Sequence, residues 1–213
     1  MVDRFESIKL VVESLREEDI VVASYIGATK FETGALRPLP STLLLGMLGG
    51  TVALGMGIAI ARRNRRVVVI TTDGDLLMEL GQLSPIVKYN MDNLKIIVLD
   101  NEYYESLLTP RPTLTGDGLD LAAIARASGI ANSTTATTLK ELSTALDNWL
   151  DKPESMCVVV KTNRGKSNAP IRHTDPIEDK FRFIRWIEET ENINIIGGEQ
   201  QDKILVKDNI GNS

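Results

Sequence analysis

Two apolar runs in the middle of the chain, Val67-Val68-Val69-Ile70 and the stretch 94–99 that contains Ile96-Ile97-Val98-Leu99, constrain the fold more than any other feature. A strand that alternates apolar and polar residues buries one face. A strand apolar along its length must be covered on both, which is the condition of a parallel sheet between helices. Between the runs, Leu76, Leu80, Leu83 and Val87 fall on one face of a helix expected over 76–89, with a kink or early stop at Pro85. Strand, helix and strand in that order imply an α/β chain: an open, mainly parallel sheet with helices on both faces.

The pattern extends in both directions. Helices are expected over 5–15, 48–61, 119–127, 138–150 and 177–189, and strands over 20–25, 130–133 and 156–161. An irregular stretch runs to residue 42 through Arg37-Pro38-Leu39-Pro40, and a Thr-, Pro- and Gly-rich loop covers 107–118. Thr138 with Glu141 three residues on has the form of a capping box. The 213 residues suit one domain over 1–190, followed by a tail over 191–213, rich in Asn, Gln and Gly, that reads as mobile or partner-contacting.

Composition removes several function classes. A 43% hydrophobic and 25% charged chain is that of a soluble globular protein, and a net charge of −5 leaves no basic stripe for nucleic acid. The cluster Arg62-Arg63-Asn64-Arg65-Arg66 reads as a solvated helix terminus, where cations complement the helix dipole. Cys157 stands alone in Met156-Cys157-Val158-Val159-Val160, so it supports neither a disulfide framework nor a Cys-rich metal site and reads as a buried strand thiol. Residues 1–20 are charged throughout, with no apolar signal segment, and a cytoplasmic location is expected. Residues 43–61 carry no charge over nineteen positions, long enough to span a bilayer, but five glycines and the α/β alternation that follows favour a buried core segment and no membrane association.

The first apolar run ends in Thr71-Thr72-Asp73-Gly74-Asp75 and the second in Asp100-Asn101. In an open parallel sheet ligands bind beyond the carboxyl ends of the strands, so Asp73 and Asn101 arrive at the same rim. Mg²⁺ takes oxygen ligands in octahedral geometry, typically one or two from protein and the rest from phosphates and water. Asp73, Asn101 and a nearby main-chain carbonyl would suit a Mg²⁺ that carries a diphosphate. Gly74 lets the backbone approach closely, and a helix from Leu76 would turn free N–H groups toward the anion. By itself, an Asp-Gly at a strand end is also the mark of a simple turn.

Asp73-Gly74, 26 residues and then Asn101 resembles the diphosphate-binding signature of thiamine-diphosphate enzymes. The resemblance is closest to the thiamine-binding subunit or half of sulfopyruvate and phosphonopyruvate decarboxylases, and covers roughly residues 18–185. It is carried further by Gly46-Met47-Leu48-Gly49 with the small-residue helix after it, Arg65-Arg66-Val67-Val68-Val69, Leu76-Leu77-Met78-Glu79-Leu80-Gly81 and Asn93-Leu94. Leu99-Asp100-Asn101, Tyr104, Ser106, Pro112-Thr113, Asp120-Leu121-Ala122 and Asn168-Ala169-Pro170 also match.

This resemblance implies the diphosphate-binding domain of the thiamine-diphosphate-binding fold, with thiamine diphosphate and Mg²⁺ as cofactors. On the family pattern Asp73, Asn101 and the carbonyl of Tyr103 hold the metal. The Gly46 carbonyl would accept a hydrogen bond from the aminopyrimidine, and Leu48 would be the apolar wedge that keeps the cofactor bent. Gly49, Gly74, Asp75 and Tyr104 complete the expected cofactor-binding set. Thr72 departs from the pattern by replacing the first glycine of a Gly-Asp-Gly triplet, and its β-branch restricts the turn. Asp75 departs by placing a carboxylate where a small or hydroxyl residue touches phosphate, repulsive unless it points away or binds metal. Asp75 becomes the ligand in a shifted register, against ungapped matches on both sides. The loop over 102–113, with Glu102, Glu105 and Thr109-Pro110-Arg111, differs from the glycines and Gln of the decarboxylases.

In that family the glutamate that activates the pyrimidine ring comes from a second α/β domain, and this chain has length for one. The resemblance therefore implies the cofactor-binding subunit of a heteromeric 2-oxo-acid decarboxylase, completed by a pyrimidine-binding α subunit in an α2β2 or larger hetero-oligomer. The small-molecule 2-oxo acid could meet Lys166, Arg111 or Arg172, while His173, the single histidine, reads as a solvated loop residue. Two alternatives stay open: an acyl transferase with the same diphosphate machinery, and a non-catalytic diphosphate- or nucleotide-binding protein.

Overall fold

In the computed structural model, which describes residues 1–24, 28–105, 109–165, 169 and 175–197, the two apolar runs lie side by side within a six-stranded sheet. In chain order the strands are β1 (Ile20–Ser24), β2 (Thr42–Gly46), β3 (Val67–Thr72), β4 (Leu94–Asp100), the short hairpin β5 (Tyr103–Tyr104) and β6 (Arg111–Pro112), β7 (Asn132–Ala136) and β8 (Met156–Lys161). The hairpin stands apart, and the other six run in the order β2-β1-β3-β4-β8-β7 with every neighbouring pair parallel. The chain moves outward from β1 to β2 and then returns to place β3 on the other side of β1, which sets a topological switch point there.

Among the described residues the α-helices are α1 (Arg4–Glu13), α2 (Ala28–Leu36), α3 (Thr51–Ala61), α4 (Asp73–Met78), α5 (Leu83–Lys88), α6 (Leu121–Ala127), α7 (Leu139–Trp149) and α8 (Pro176–Glu191). Alternate residues of β3 feed two cores. Val67 and Val69 pack with Val52 and Met56 of α3, Leu83 and Ile86 of α5, Leu121 of α6 and Ile187 of α8. Val68 and Ile70 pack on the opposite face with Ile8 and Val11 of α1 and Leu142 and Leu146 of α7. All four β3 residues are fully buried, a gain of about 1.5–3 kcal/mol for each such side chain. Cys157 is buried in the first of these cores, as its strand position implies, and burial pushes its thiol up to about 12.

The stretch 43–61 is divided among β2, a turn and the eleven residues of α3, whose Val52, Met56 and Ala59 face the core. Among the described residues no helix is long and apolar enough to cross a membrane. The stretch expected to be irregular up to residue 42 contains α2, and β2 begins at its last residue, Thr42. The buried positions of α2 include Thr29, Lys30, Glu32 and Thr33, so it has no apolar stripe to read. Its anchor is instead the paired fork of Arg4 Nε and Nη2 on the Glu32 carboxylate at 2.8 and 3.1 Å.

The helix expected over 76–89 is two helices. α4 begins three residues early, at Asp73, and Glu79 leaves helical geometry at φ −143° and ψ 50°. Pro85 causes neither break, because it is the third residue of α5, where an N–H would lack an intrahelical acceptor. The arginine cluster is not simply solvated. Arg62 and Arg65 pair with Glu191 at 2.9 and 3.3 Å, Arg65 also lies over Trp186, and Arg66 joins Asp19 and Asp151. The Arg62 and Arg65 contacts tie the end of α3 to the end of α8.

Thr138 and Glu141 form the capping box expected for α7. At the amino end, Val2 bridges to Thr162 just after β8: Val2 N–H donates to the Lys161 carbonyl and Asn163 N–H to the Val2 carbonyl, both at 2.8 Å. Arg4 adds a bond to the Gly165 carbonyl at 3.0 Å. Lys166, Asn168, Pro170, Arg172, His173, Ser106 and most of the tail lie outside the described residues.

Candidate functional site

Register brings the two expected metal ligands together. Thr72 and Leu99 are opposite one another in β3 and β4, so Asp73 and the Asp100-Asn101 pair leave adjacent parallel strands at the same rim. Thr72 occupies extended backbone at φ −121° and ψ 163°, which a β-branched residue adopts readily, and its hydroxyl accepts the Asp75 N–H at 3.3 Å. A threonine in the glycine position therefore starts the helix instead of straining the turn.

Asp73 is fully buried. Its Oδ2 accepts from the Thr113 hydroxyl at 2.6 Å and more weakly from Thr115 at 3.4 Å. Its Oδ1 is buried and accepts no hydrogen bond of normal geometry. Burial pushes the carboxyl up to about 6; the Thr113 bond pulls it back and the nearby Asp100 charge adds to the rise. A buried carboxylate oxygen without a donor is costly as it stands, and a cation is the partner that such an oxygen suits.

Asn101 uses its Nδ2 as donor to Glu105 at 2.9 Å, and its Oδ1 accepts the Tyr103 N–H at 3.0 Å while keeping a second lone pair. Tyr103 faces Pro112 across the hairpin. The neighbouring Thr113 N–H bonds the Glu102 carbonyl at 2.9 Å, which makes Tyr103–Pro112 a non-hydrogen-bonded pair and turns the Tyr103 carbonyl outward. One carboxylate oxygen, one amide oxygen and one outward-turned carbonyl are a donor set that fits Mg²⁺. Among the described residues no cluster of three or more His, Cys, Asp or Glu offers a rival metal site.

The remaining expected residues surround this set. Gly74 lies beneath the Tyr104 ring, and a Cβ there would come within 2.6 Å of Tyr104 Cδ1 and Cε1. The Tyr104 hydroxyl is raised by burial and by the Asp73 charge. Gly46 ends β2, Leu48 follows half-buried beside the exposed Met47, and Gly49 takes φ +85°, a left-handed turn that favours glycine. Asp75, expected to touch the cofactor, has both oxygens taken by protein. Oδ1 accepts from Gly49 N–H, and Oδ2 accepts from the hydroxyls of Thr51 and, at 2.6 Å, Thr71. Arg111 is exposed on β6.

Several participants carried no role in the sequence reading. Thr113 and Thr115 hold Asp73 from forty or so residues away, a contact made by the hairpin and by no linear spacing. The single Thr115 hydroxyl proton is directed to Asp100 at 2.7 Å, leaving the 3.4 Å approach to Asp73 a secondary contact, and Asp100 pairs with Lys161 at 2.8 Å. Burial alone would lower the Lys161 ammonium, but hydrogen bonds to Asp100 and Glu102 outweigh it and hold it above its ordinary value. The rim therefore contains two buried carboxylates linked through two hydroxyls, of which, among the described residues, only Asp100 pairs with a cation.

Residues 24–160 match the family model described as thiamine pyrophosphate enzyme, C-terminal TPP binding domain. Subunit beta of sulfopyruvate decarboxylase from Methanocaldococcus jannaschii is 31% identical over 188 residues, covering 86% of this chain and 96% of the relative. The same subunit from Methanothermobacter thermautotrophicus is 32% identical over 189 residues, covering 88% and 96%. Phosphonopyruvate decarboxylase from Streptomyces viridochromogenes is 35% identical over 103 residues, 48% of this chain and 25% of that longer one. Among solved structures, benzoylformate decarboxylase from Polynucleobacter necessarius superposes with a TM-score of 0.64 at 22% identity, covering 77% of this chain and 34% of its own, a likeness of fold. With its sheet order, its rim and these matches in place, the chain belongs to the thiamine pyrophosphate enzymes, through their C-terminal TPP binding domain, and is homologous to sulfopyruvate decarboxylase beta subunits.

Proposed function

We propose that this chain is the cofactor-binding subunit of a heteromeric 2-oxo-acid decarboxylase that depends on thiamine diphosphate and Mg²⁺. The observation that carries the reading is the buried Oδ1 of Asp73, which accepts no hydrogen bond of normal geometry, one strand away from Asn101, in a chain that aligns with 96% of the sulfopyruvate decarboxylase beta subunit. Asp73, Asn101 and the Tyr103 carbonyl would hold Mg²⁺ and, through it, the diphosphate. Gly46, Leu48 and Gly49 would receive the pyrimidine side, and Gly74 with Tyr104 would line the rim between them. Thiamine diphosphate supplies the electron sink that decarboxylation of a 2-oxo acid requires.

The chain's own contribution is to bind and orient. Thr113 and Thr115 fix the Asp73 carboxylate, and Glu105 fixes the Asn101 amide. Lys161 neutralises Asp100, so among the described residues the rim carboxylate left without a cation is Asp73. A partner chain would supply the pyrimidine-site glutamate and complete the assembly.

Calorimetry with thiamine diphosphate and Mg²⁺, on this chain with a pyrimidine-binding partner, tests the reading. Turnover of 2-oxo acids ending in sulfonate, phosphonate, carboxylate or apolar groups then identifies the substrate. Binding that requires both Mg²⁺ and Asp73, with release of CO₂ from one acid of the panel, is the expected result. Absence of cofactor binding in the reconstituted pair, with Asp73→Ala indistinguishable from wild type, refutes it.

A further inference from the structure

Asp75 is buried to 1% exposure and accepts from three donors that belong to two distant parts of the chain. Gly49 N–H and Thr51 Oγ1 come from the turn and first residue leading into α3, and Thr71 Oγ1 comes from the end of β3. No ion pair reaches Asp75 among the described residues, so its charge is balanced by an N–H and two hydroxyls. Three convergent donors, one on Oδ1 and two on Oδ2, hold both oxygens of the carboxylate toward protein groups on the side of the turn. The side chain spans a gap that serine or alanine is too short to cross.

The segment pinned in this way is Gly46-Met47-Leu48-Gly49, and the residue that pins it is two positions from Asp73. Gly49 itself sits in left-handed backbone, with Met78 Cβ 3.4 Å from where its own Cβ would be, so the turn rests against α4 as well. The end of β2 and the end of β3 are separated in the sheet by β1, and no ladder hydrogen bond joins them. Asp75 makes the cross-link that the sheet cannot.

From this geometry we infer that Asp75 is a positioning residue: a strut that sets the Gly46–Gly49 turn at a fixed distance from the Asp73 rim, without touching cofactor or metal. The inference rests on the proposed function, in which the turn receives the pyrimidine side of the cofactor and the rim its metal-bound diphosphate. A strut between two half-sites matters for a ligand that spans both and is indifferent to one that occupies only the rim. Mg²⁺ with inorganic pyrophosphate is such a rim-only ligand.

The experiment uses the full chain with its partner and compares wild type, Asp75→Ala, Asp75→Asn and Thr51→Val. Calorimetry reads thiamine diphosphate with Mg²⁺ against pyrophosphate with Mg²⁺, and hydrogen exchange on each protein without ligand reads the amides of 47–51. Asp75→Ala should weaken thiamine diphosphate about tenfold, the worth of roughly one lost hydrogen bond of this kind, while pyrophosphate affinity stays at the wild-type value. Asp75→Asn keeps the span and should retain most of the affinity, with Thr51→Val between the two. Exchange at Gly49 should accelerate in Asp75→Ala, with amides of the 113–115 segment unchanged.

Tighter binding of both ligands in Asp75→Ala and Asp75→Asn would identify Asp75 as a repulsive charge and overturn the strut. An equal loss of both ligands would place its effect on the rim or on folding and overturn it too. Unchanged exchange at Gly49 overturns it whatever the cofactor does. If the wild-type pair binds neither ligand, it is the proposed function that falls, and the strut is then judged on exchange alone.

Discussion

Replacing Asp73 by Asn removes a charge that the folded chain holds at a cost, and the cost can be sized. The Asp73 carboxyl rises from 3.8 to about 6, with burial as the leading cause, which corresponds to about 3 kcal/mol. A group whose folded value is raised stabilises fully below its unfolded value, near pH 4, and loses that contribution as pH rises through about 6. Relative to Asp73→Asn, which does not titrate, the ligand-free wild type should therefore lose about 3 kcal/mol between pH 4 and pH 7, or roughly 6–12 °C in Tm for a chain of this size. Above pH 7 the variant should be the more stable protein. Saturating Mg²⁺ should close the gap by stabilising wild type alone, since binding to the folded state adds to stability by mass action. Mg²⁺ affinity should fall about tenfold for each pH unit below about 6, as proton and metal compete for one carboxylate. Thermal unfolding of both proteins from pH 4 to 8, with and without Mg²⁺, is the assay. Parallel pH profiles for the two chains would refute the idea that the folded state stores this charge for a cation.

Three further outcomes follow from packing and from ion pairing. At Gly55 in α3 a Cβ would lie 2.2 Å from Val69 Cγ2, so Gly55→Ala should destabilise by about 1–3 kcal/mol in urea unfolding; at Gly57, where nothing lies within 4 Å, the same change should stabilise by up to about 1 kcal/mol. Glu32→Gln weakens the fork with Arg4, whose side chains are 10% and 2% exposed in the pair, and should cost about 1.5–3 kcal/mol in urea unfolding, since Arg4 keeps Glu105 at 3.7 Å as a second carboxylate.

The sheet was legible where local chemistry and global fold agree. β8 lies at 156–161 because an apolar run in a doubly covered strand has no competing pattern, and the box at Thr138 and Glu141 marks α7 by hydrogen bonds made within four residues. α2 was invisible because its contacts replace apolar periodicity with an ion pair 28 residues apart. The break at Glu79 escaped notice because Pro85 is the stronger local signal, though harmless in a first turn. At the rim, Asp73, Gly74 and Asn101 could be named from their spacing. Their supports could not: Thr113, Thr115 and Lys161 reach the rim through a hairpin and a crossover, and the partners of Asp75 depend on which oxygen faces which turn.

The bridge from Val2 to the residues just after β8 also sets a timetable. In synthesis α1 precedes every strand of the sheet, yet the backbone bonds at 161 and 163 and the Arg4 contact at 165 exist only once the chain runs through β8 and beyond it. Until then Ile8 and Val11 face an unfinished core. Such long-range closure is slow, because loop entropy is lost before the contact forms. Nascent chains ending before Met156 should therefore be the ones held by chaperones, and release should coincide with the arrival of the last strand.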